Sequence, residues 1–531
     1  MNQANVGAGR QRRPAQISIR GLCLAAALAA AGLPAYAPAF GQGSPGAVAA
    51  ALKSSAKSDR ELRAFYQARG YRPLWFAAGP ASPEADRVVD LIRSASLDGL
   101  DPGRYKPKAL AEAVAKARGG SPKAVGKADA MLSRAFAAYV RDVRRPRNVG
   151  MVYVDRELAP VQPGVRAVLD AAAAAPSLAA HIDGIAWMNP LYGRLRSGLV
   201  AYRERWARLP QAAIPPGPVL RAGTDGDRVR MLRHRLGLPA DGSFDEGLAA
   251  ALRSFQSAHG LPDDAVAGPR TLAALNADPR GQERLIRLNM ERARGLPANP
   301  GRRYILVDAA SARLWAYEDG RVVDTMRVIV GKPTEQTPMM AGLIRYAMVN
   351  PYWNIPPDLV RNRVAPAVLK SGISYVKSKR YEVRSDWAED SPVVNPKDVD
   401  WAAVAAGRQE LPVRQLPGRD NAMGKMKFML PNQLGIYLHD TPEKALFKED
   451  ERRFSSGCVR VEDAPRLARW LFGKPLKVPA RGSERRVDLP RPVPVYITYL
   501  TAAPAEQGIA FSADAYNRDA RALGARALAA R

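Results

Sequence analysis

At 531 residues the chain is too long for one hydrophobic core, so two to four domains are expected. Two cysteines and four histidines exclude a disulfide scaffold, a multi-ligand haem protein and a zinc site built on cysteine clusters. The net charge of +29, from 80 Lys and Arg against 51 Asp and Glu, calls for a polyanionic partner: nucleic acid, an anionic membrane or an acidic polymer.

The N-terminus narrows that choice. Arg10, Arg12, Arg13 and Arg20 precede an apolar stretch from Gly21 to Leu33, followed by Ala35-Tyr36-Ala37. A basic flank, a short apolar run and an A-x-A exit predict a secretory signal peptide over 1–37. Pro38 directly after Ala37 keeps a rival open, an uncleaved anchor holding the protein at the inner membrane. Export to the periplasm makes nucleic acid an improbable partner. Removal of 1–37 takes four arginines and no acids, lowering the charge from +29 to about +25. It also removes Cys23, leaving Cys458 as the one thiol of the mature chain.

Residues 38–58, rich in Ala, Gly, Ser and Pro, read as a linker. From 59 to 215 the pattern is helical and Ala-rich, with Val88, Leu91 and Ile92 on one face and Tyr66, Trp75, Tyr105 and Tyr139 as packing aromatics. No constellation of chemical groups stands out there, and the segment reads as a helical scaffold. Pro215-Pro216-Gly217-Pro218 marks a boundary. Residues 217–280 then carry three short helical patterns, with Asp245 as a cap and Pro269 in a first turn. Through FQSAHGL, AGPRT and the closing LN, this unit resembles the peptidoglycan-binding domain family. Its His234 and His259 read as surface or groove residues without chemistry.

Beyond residue 300 the period becomes strand-like. Candidate strands begin at Tyr304, Arg313, Gly320 and Met326, with others at Ile344–Asn350, Lys427–Leu430 and Gly435–His439. The expected fold is a multidomain α+β protein: helical scaffold, small three-helix domain, and a mainly antiparallel β domain over 302–500. About 358–415 reads as a helical or irregular polar insertion, either a lid or a disordered excursion, and 501–531 as a C-terminal tail.

After residue 276 the chain holds one histidine, His439, and one cysteine, Cys458. A free thiol near pKa 8.5 is mostly protonated at neutral pH, so a thiol nucleophile needs a base or cation beside it. A histidine can supply that and pass the proton to a leaving amine. Gly457 permits a tight turn in which the N–H groups of Gly457 and Cys458 face a developing oxyanion. Arg460 is suited to gripping a carboxylate, or else to a salt bridge holding the loop. One Cys and one His lack further partners at ligand spacing, so no metal and no cofactor are expected.

The stretch from about 303 to 500 resembles the L,D-transpeptidase (YkuD) catalytic domain, and within that family the large, scaffold-bearing YcbB-like subgroup of Gram-negative envelopes. NPYWNIPP (350–357), RQLPGRDNAMGKMKF (414–428), IYLHDTP (436–442) and FSSGCVRVED (454–463) carry the resemblance, with GYRPLW and DGLDPGRY in the scaffold. The resemblance implies that Cys458 attacks a tetrapeptide stem between its third residue and the terminal D-Ala. The thioester then passes to the side-chain amine of another stem, giving a 3→3 cross-link. His439 serves as base and then acid, oriented by the backbone carbonyl of Asp440; a role for the Asp440 carboxylate stays open. Tyr437 and Trp353 would line the substrate groove or pack in the core, with Asn421 and Ser456 as further lining residues and the insertion as a lid. The resemblance also implies acylation of Cys458 by carbapenems. Rival readings are an L,D-carboxypeptidase, attachment of a protein to the stem, and a non-catalytic peptidoglycan-binding module. Peptidoglycan stems are the expected partner, with other cell-wall synthases or carboxypeptidases beside them.

Overall fold

The computed structural model describes residues 45–185, 188–388, 390–479 and 482–529. The expected signal peptide lies outside the described residues. From Pro45 the expected linker is instead a helix, Pro45–Ser55. Val48, Leu52 and Ala56 recur every four residues and are all buried. Val48 and Leu52 lie against Gly126 of the helix Pro122–Val143, where a Cβ would lie 2.6 Å from that of Ala51. The Ala-rich composition conceals this stripe because small residues carry little hydropathy contrast.

The scaffold is helical as expected, and Pro83, Pro107, Pro122 and Pro190 each open a helix, where a missing N–H costs nothing. Tyr66, Trp75, Tyr105 and Tyr139 are buried packing residues. Tyr66 and Trp75 lie beside a buried carboxylate, Asp129, that accepts from the Leu74, Trp75 and Phe76 N–H groups (3.0, 2.8 and 3.3 Å) and from the Tyr66 hydroxyl (2.5 Å). A buried anion survives where donors replace its water.

In the three-helix unit, Asp245 caps Glu246–Ala258 through the Leu248 N–H (2.7 Å), and Pro269 sits in the first turn of Pro269–Leu275. His234 is exposed. His259 is not a surface residue: it is buried, stacked on Phe255 at 3.9 Å, and burial holds its imidazole down at about 4. A further helix, Pro279–Ala293, packs on the scaffold helix Pro190–Glu204 and leads into the β domain.

The β domain is a mixed sheet that closes on itself. Its strands run in the order Met340–Val349, Met426–Met429, Leu438–His439, Val459–Val461, Arg321–Gly331, Arg313–Glu318, Arg303–Asp308 and Arg485–Thr498. The last strand pairs in parallel with Arg303–Asp308 and antiparallel with Met340–Val349, which completes the ring. The insertion is ordered. Trp353–Ile355, Val413–Gln415, Tyr381–Arg384 and Val393–Val394 form a second, antiparallel sheet. With short helices it encloses its own core around Ile355, Val360, Val383, Trp401 and Val413. The expected C-terminal tail is also structured, as a hairpin of Ala502–Pro504 and Ile509–Phe511 and the helix Arg518–Ala529. Among the described residues, no helix is long and apolar enough to cross a membrane.

Candidate active site

Three adjacent strands assemble the site. The short strand Leu438–His439 lies between Met426–Met429 and Val459–Val461. Its register sets His439 opposite Lys427 on one side and beside Arg460 on the other. Paired residues share a face of the sheet, so one imidazole is flanked by two cations. The parallel pairing with Val459–Val461 also delivers Cys458, at the start of that strand, next to the Tyr437-Leu438-His439 segment; the Val459 N–H donates to the Tyr437 carbonyl at 3.1 Å.

His439 is buried, and its Nδ1–H donates to the Asp440 carbonyl at 2.5 Å. Only a protonated Nδ1 can bond a carbonyl, so the lone pair sits on Nε2. Cys458 is half-buried; its Sγ–H donates to the Gly435 carbonyl at 3.4 Å. The Tyr437 hydroxyl is hydrogen-bonded to the thiol, and its ring stands edge-on to the imidazole at 5.7 Å.

Burial, helped by Arg460, Lys427 and Lys444, holds the imidazole down at about 3. Burial pushes the thiol up to about 11, with Tyr437, Arg460 and Lys427 opposing the rise. Both shifts favour the neutral forms, so the resting pair is thiol and imidazole rather than thiolate and imidazolium.

The Asp440 side chain turns away from the imidazole. Its Oδ2 accepts from the Lys425 N–H (2.9 Å) and its Oδ1 from Lys444 Nζ (2.6 Å). Gly424, at φ +58°, leaves the room this needs, because a Cβ there would meet the carboxylate. Gly457, at φ +109°, makes the expected turn, but its N–H donates to Ser455 Oγ at 3.2 Å and does not face the thiol's surroundings unpaired. The Cys458 N–H has no partner among the described residues. Arg460 is ion-paired with Glu443, which has folded back on the same side of the sheet.

Three expected lining residues make the following contacts. Trp353 is half-buried against the core of the inserted subdomain. Asn421 is buried and fully used: its amide donates to the carbonyls of Pro351, Gln415 and Leu416 and its oxygen accepts from the Met423 N–H. It ties the base of the insertion to the β domain because both ends of the insertion offer bare carbonyls there. Ser456 is exposed and touches Glu335.

Other residues, not singled out by the sequence, hold the turn. Ser455 Oγ donates to the Cys458 carbonyl at 2.6 Å, and Thr337 Oγ1 donates to the Gly457 carbonyl at 2.7 Å. The adjacent Ser-Ser pair was the one available signal for Ser455; Thr337 lies 120 residues away from Gly457 in sequence and had none. A cavity of about 1080 Å³ opens on the Asp440 and Lys444 side, lined also by Lys425, Arg380 and Arg419; neither Cys458 nor His439 borders it.

Comparison with known families matches three segments of the chain. Residues 302–478 match the family model described as "L,D-transpeptidase catalytic domain". The chain carries an L,D-transpeptidase catalytic domain. Residues 60–199 match a "Scaffold domain" and 229–275 a "Putative peptidoglycan binding domain". The catalytic domain thus follows both modules in the chain.

A Haemophilus influenzae protein named "Putative L,D-transpeptidase" is 32% identical over 241 residues, covering 44% of this chain. The match spans about half (48%) of that curated relative's length. Among solved structures the chain is similar to an L,D-transpeptidase from Xylanimonas cellulosilytica (18% identity, 53% of this chain and 99% of that one, TM-score 0.18). It is also similar to one from Mycobacterium smegmatis (12% identity, 37% and 58%, TM-score 0.20).

Proposed function

We propose that this protein is a periplasmic L,D-transpeptidase that joins peptidoglycan stems by 3→3 cross-links, with Cys458 as nucleophile and His439 as base. One observation supports the reading most: within the residues that match an L,D-transpeptidase catalytic domain, parallel pairing lays the Cys458 segment beside Tyr437–His439, whose imidazole is tethered through Nδ1.

In this mechanism His439 Nε2 takes the Sγ proton as the sulfur attacks the carbonyl between the third residue and the terminal D-Ala. The Cys458 N–H is available to the oxyanion. The Gly457 N–H is available only if it leaves Ser455 Oγ, and a lost donor costs roughly a hundredfold in rate. The imidazolium so formed faces Arg460, Lys427 and Lys444. That repulsion favours rapid transfer of the proton to the departing D-Ala amine. The thioester is then attacked by the side-chain amine of a second stem, and its proton returns through His439, restoring the thiol. Arg460 grips a stem carboxylate by exchanging Glu443 for it.

The peptidoglycan-binding domain supports a wall substrate, and the basic, apolar N-terminus supports export, with the chain free or anchored at the inner membrane. Incubation of the full chain with disaccharide-tetrapeptide, read by mass, tests the reading. A cross-linked dimer lacking one D-Ala is expected. Tripeptide alone would make the protein a carboxypeptidase, and unchanged substrate would overturn both.

A further inference from the structure

The C-terminal segment reaches back under the Cys458 turn. Tyr516 is buried, and its hydroxyl donates to the Gly331 carbonyl at 2.5 Å while its own carbonyl accepts from Gln336 Nε2 at 3.2 Å. Arg518 donates from Nε and Nη2 to Gln336 Oε1 (3.2 and 3.0 Å) and from Nη2 to the Thr337 carbonyl (2.9 Å). The guanidinium lies against the rings of Tyr499 and Tyr516, at 5.0 and 4.9 Å from their centres. A planar fork bonded on one edge and stacked on its face has little freedom.

What Arg518 and Tyr516 hold is the loop from Gly331 to Thr337. That loop is folded tightly on itself: the Thr337 hydroxyl accepts from the Gly331 N–H at 2.8 Å, and a Cβ on Gly331 would lie 2.7 Å from the Thr337 nitrogen. The same hydroxyl donates to the Gly457 carbonyl, the residue before Cys458. The segment is itself anchored at its other end. Ile509 and Ala510 press against Gly198 of the scaffold and Gly260 of the peptidoglycan-binding domain, positions where no side chain fits. Phe511 stacks with His259 at 6.1 Å.

We propose that the C-terminal segment 509–518 is a positioning element for the nucleophile, acting through Arg518 on the Thr337 loop and through Thr337 on the Gly457–Cys458 turn. This rests on Cys458 being the reactive group. Arg518 and Thr337 touch no reacting atom; they fix the position of the turn that does. A displacement near 1 Å at a nucleophile can cost up to about a hundredfold in rate.

The test uses the full chain with Arg518→Ala, Arg518→Lys and Thr337→Val, the last keeping the side-chain shape. Two quantities are read: kcat and KM with disaccharide-tetrapeptide, and the pH dependence of Cys458 alkylation by iodoacetamide well below the melting temperature. Arg518→Ala and Thr337→Val are expected to lower kcat by ten- to a hundredfold with KM nearly unchanged, and Arg518→Lys to recover part of it. The alkylation midpoint should move down from its buried value as the turn loosens. A lower melting temperature with kcat and the alkylation midpoint both at parental values would overturn the proposal, leaving these residues merely structural. If the parent chain does not turn over tetrapeptide, the functional reading fails, yet the alkylation midpoints still decide whether Arg518 positions the thiol.

Discussion

Two buried carboxylates, Asp129 in the scaffold and Asp440 in the catalytic domain, are held by backbone N–H groups and serve opposite ends. Asp129 takes three successive N–H groups and a tyrosine hydroxyl, and burial raises its pKa. It is sealed, and everything it binds belongs to the fold. Asp440 takes one N–H and one lysine ammonium at a cavity's edge, while its carbonyl takes the imidazole proton of His439. One carboxylate knits helices together. The other fixes a peptide unit whose carbonyl tethers the His439 imidazole. Burial alone therefore does not mark a functional acid; what its neighbours are free to do does.

That contrast is sharpened first at the proposed nucleophile. Cys458→Ala should cut turnover by at least about a thousandfold with the melting temperature nearly unchanged, since the thiol is only half-buried and its acceptor, the Gly435 carbonyl, belongs to an exposed residue. Asp129→Ala should behave in the opposite way. It strands several buried donors at about 1–3 kcal/mol each, so thermal unfolding should show a loss of about 3 kcal/mol or more, with kcat per folded molecule preserved. Asp440→Ala falls between: about a tenfold lower kcat with little change in KM, and a smaller loss of stability. Steady-state kinetics beside a melting curve would break the comparison if Asp440→Ala lost only stability, as Asp129→Ala should.

The smallest expected effect is in the pH profile. A base must be neutral to work, and His439 is held down at about 3. Protonation therefore begins to remove the base only as pH falls towards 3, and kcat/KM should show no acid limb near 6.5. Lys427→Met removes a charge that opposes the imidazolium, so the limb should move to higher pH. A parental limb near 6.5 would mean that the imidazole is not buried as described.

Much of this was legible because some signals are local. His439 and Cys458 stood out as the sole candidates of their kind beyond residue 276, and most catalytic-domain strands followed from β-branched runs. The strand Arg485–Thr498 did not: Pro490, Pro492 and Pro494 lack the N–H of a regular ladder, and the register shifts between Asp488 and Val493. The inserted subdomain read as a polar excursion because its strands are two to four residues long and only their assembly makes a core. Arg460 was legible as a cation, but not its partner Glu443, since the contact depends on how the chain after His439 folds back. Thr337 and Arg518 were silent for the same reason: their work is done through backbone atoms distant in sequence.

The most direct test is the mass of the intact protein after brief exposure to disaccharide-tetrapeptide, with peptide mapping of any adduct. The expected result is an acyl-enzyme carrying the donor less D-Ala, located on Cys458 and absent from Cys458→Ala. An adduct on another residue, or cross-linking by Cys458→Ala at the parental rate, would contradict it.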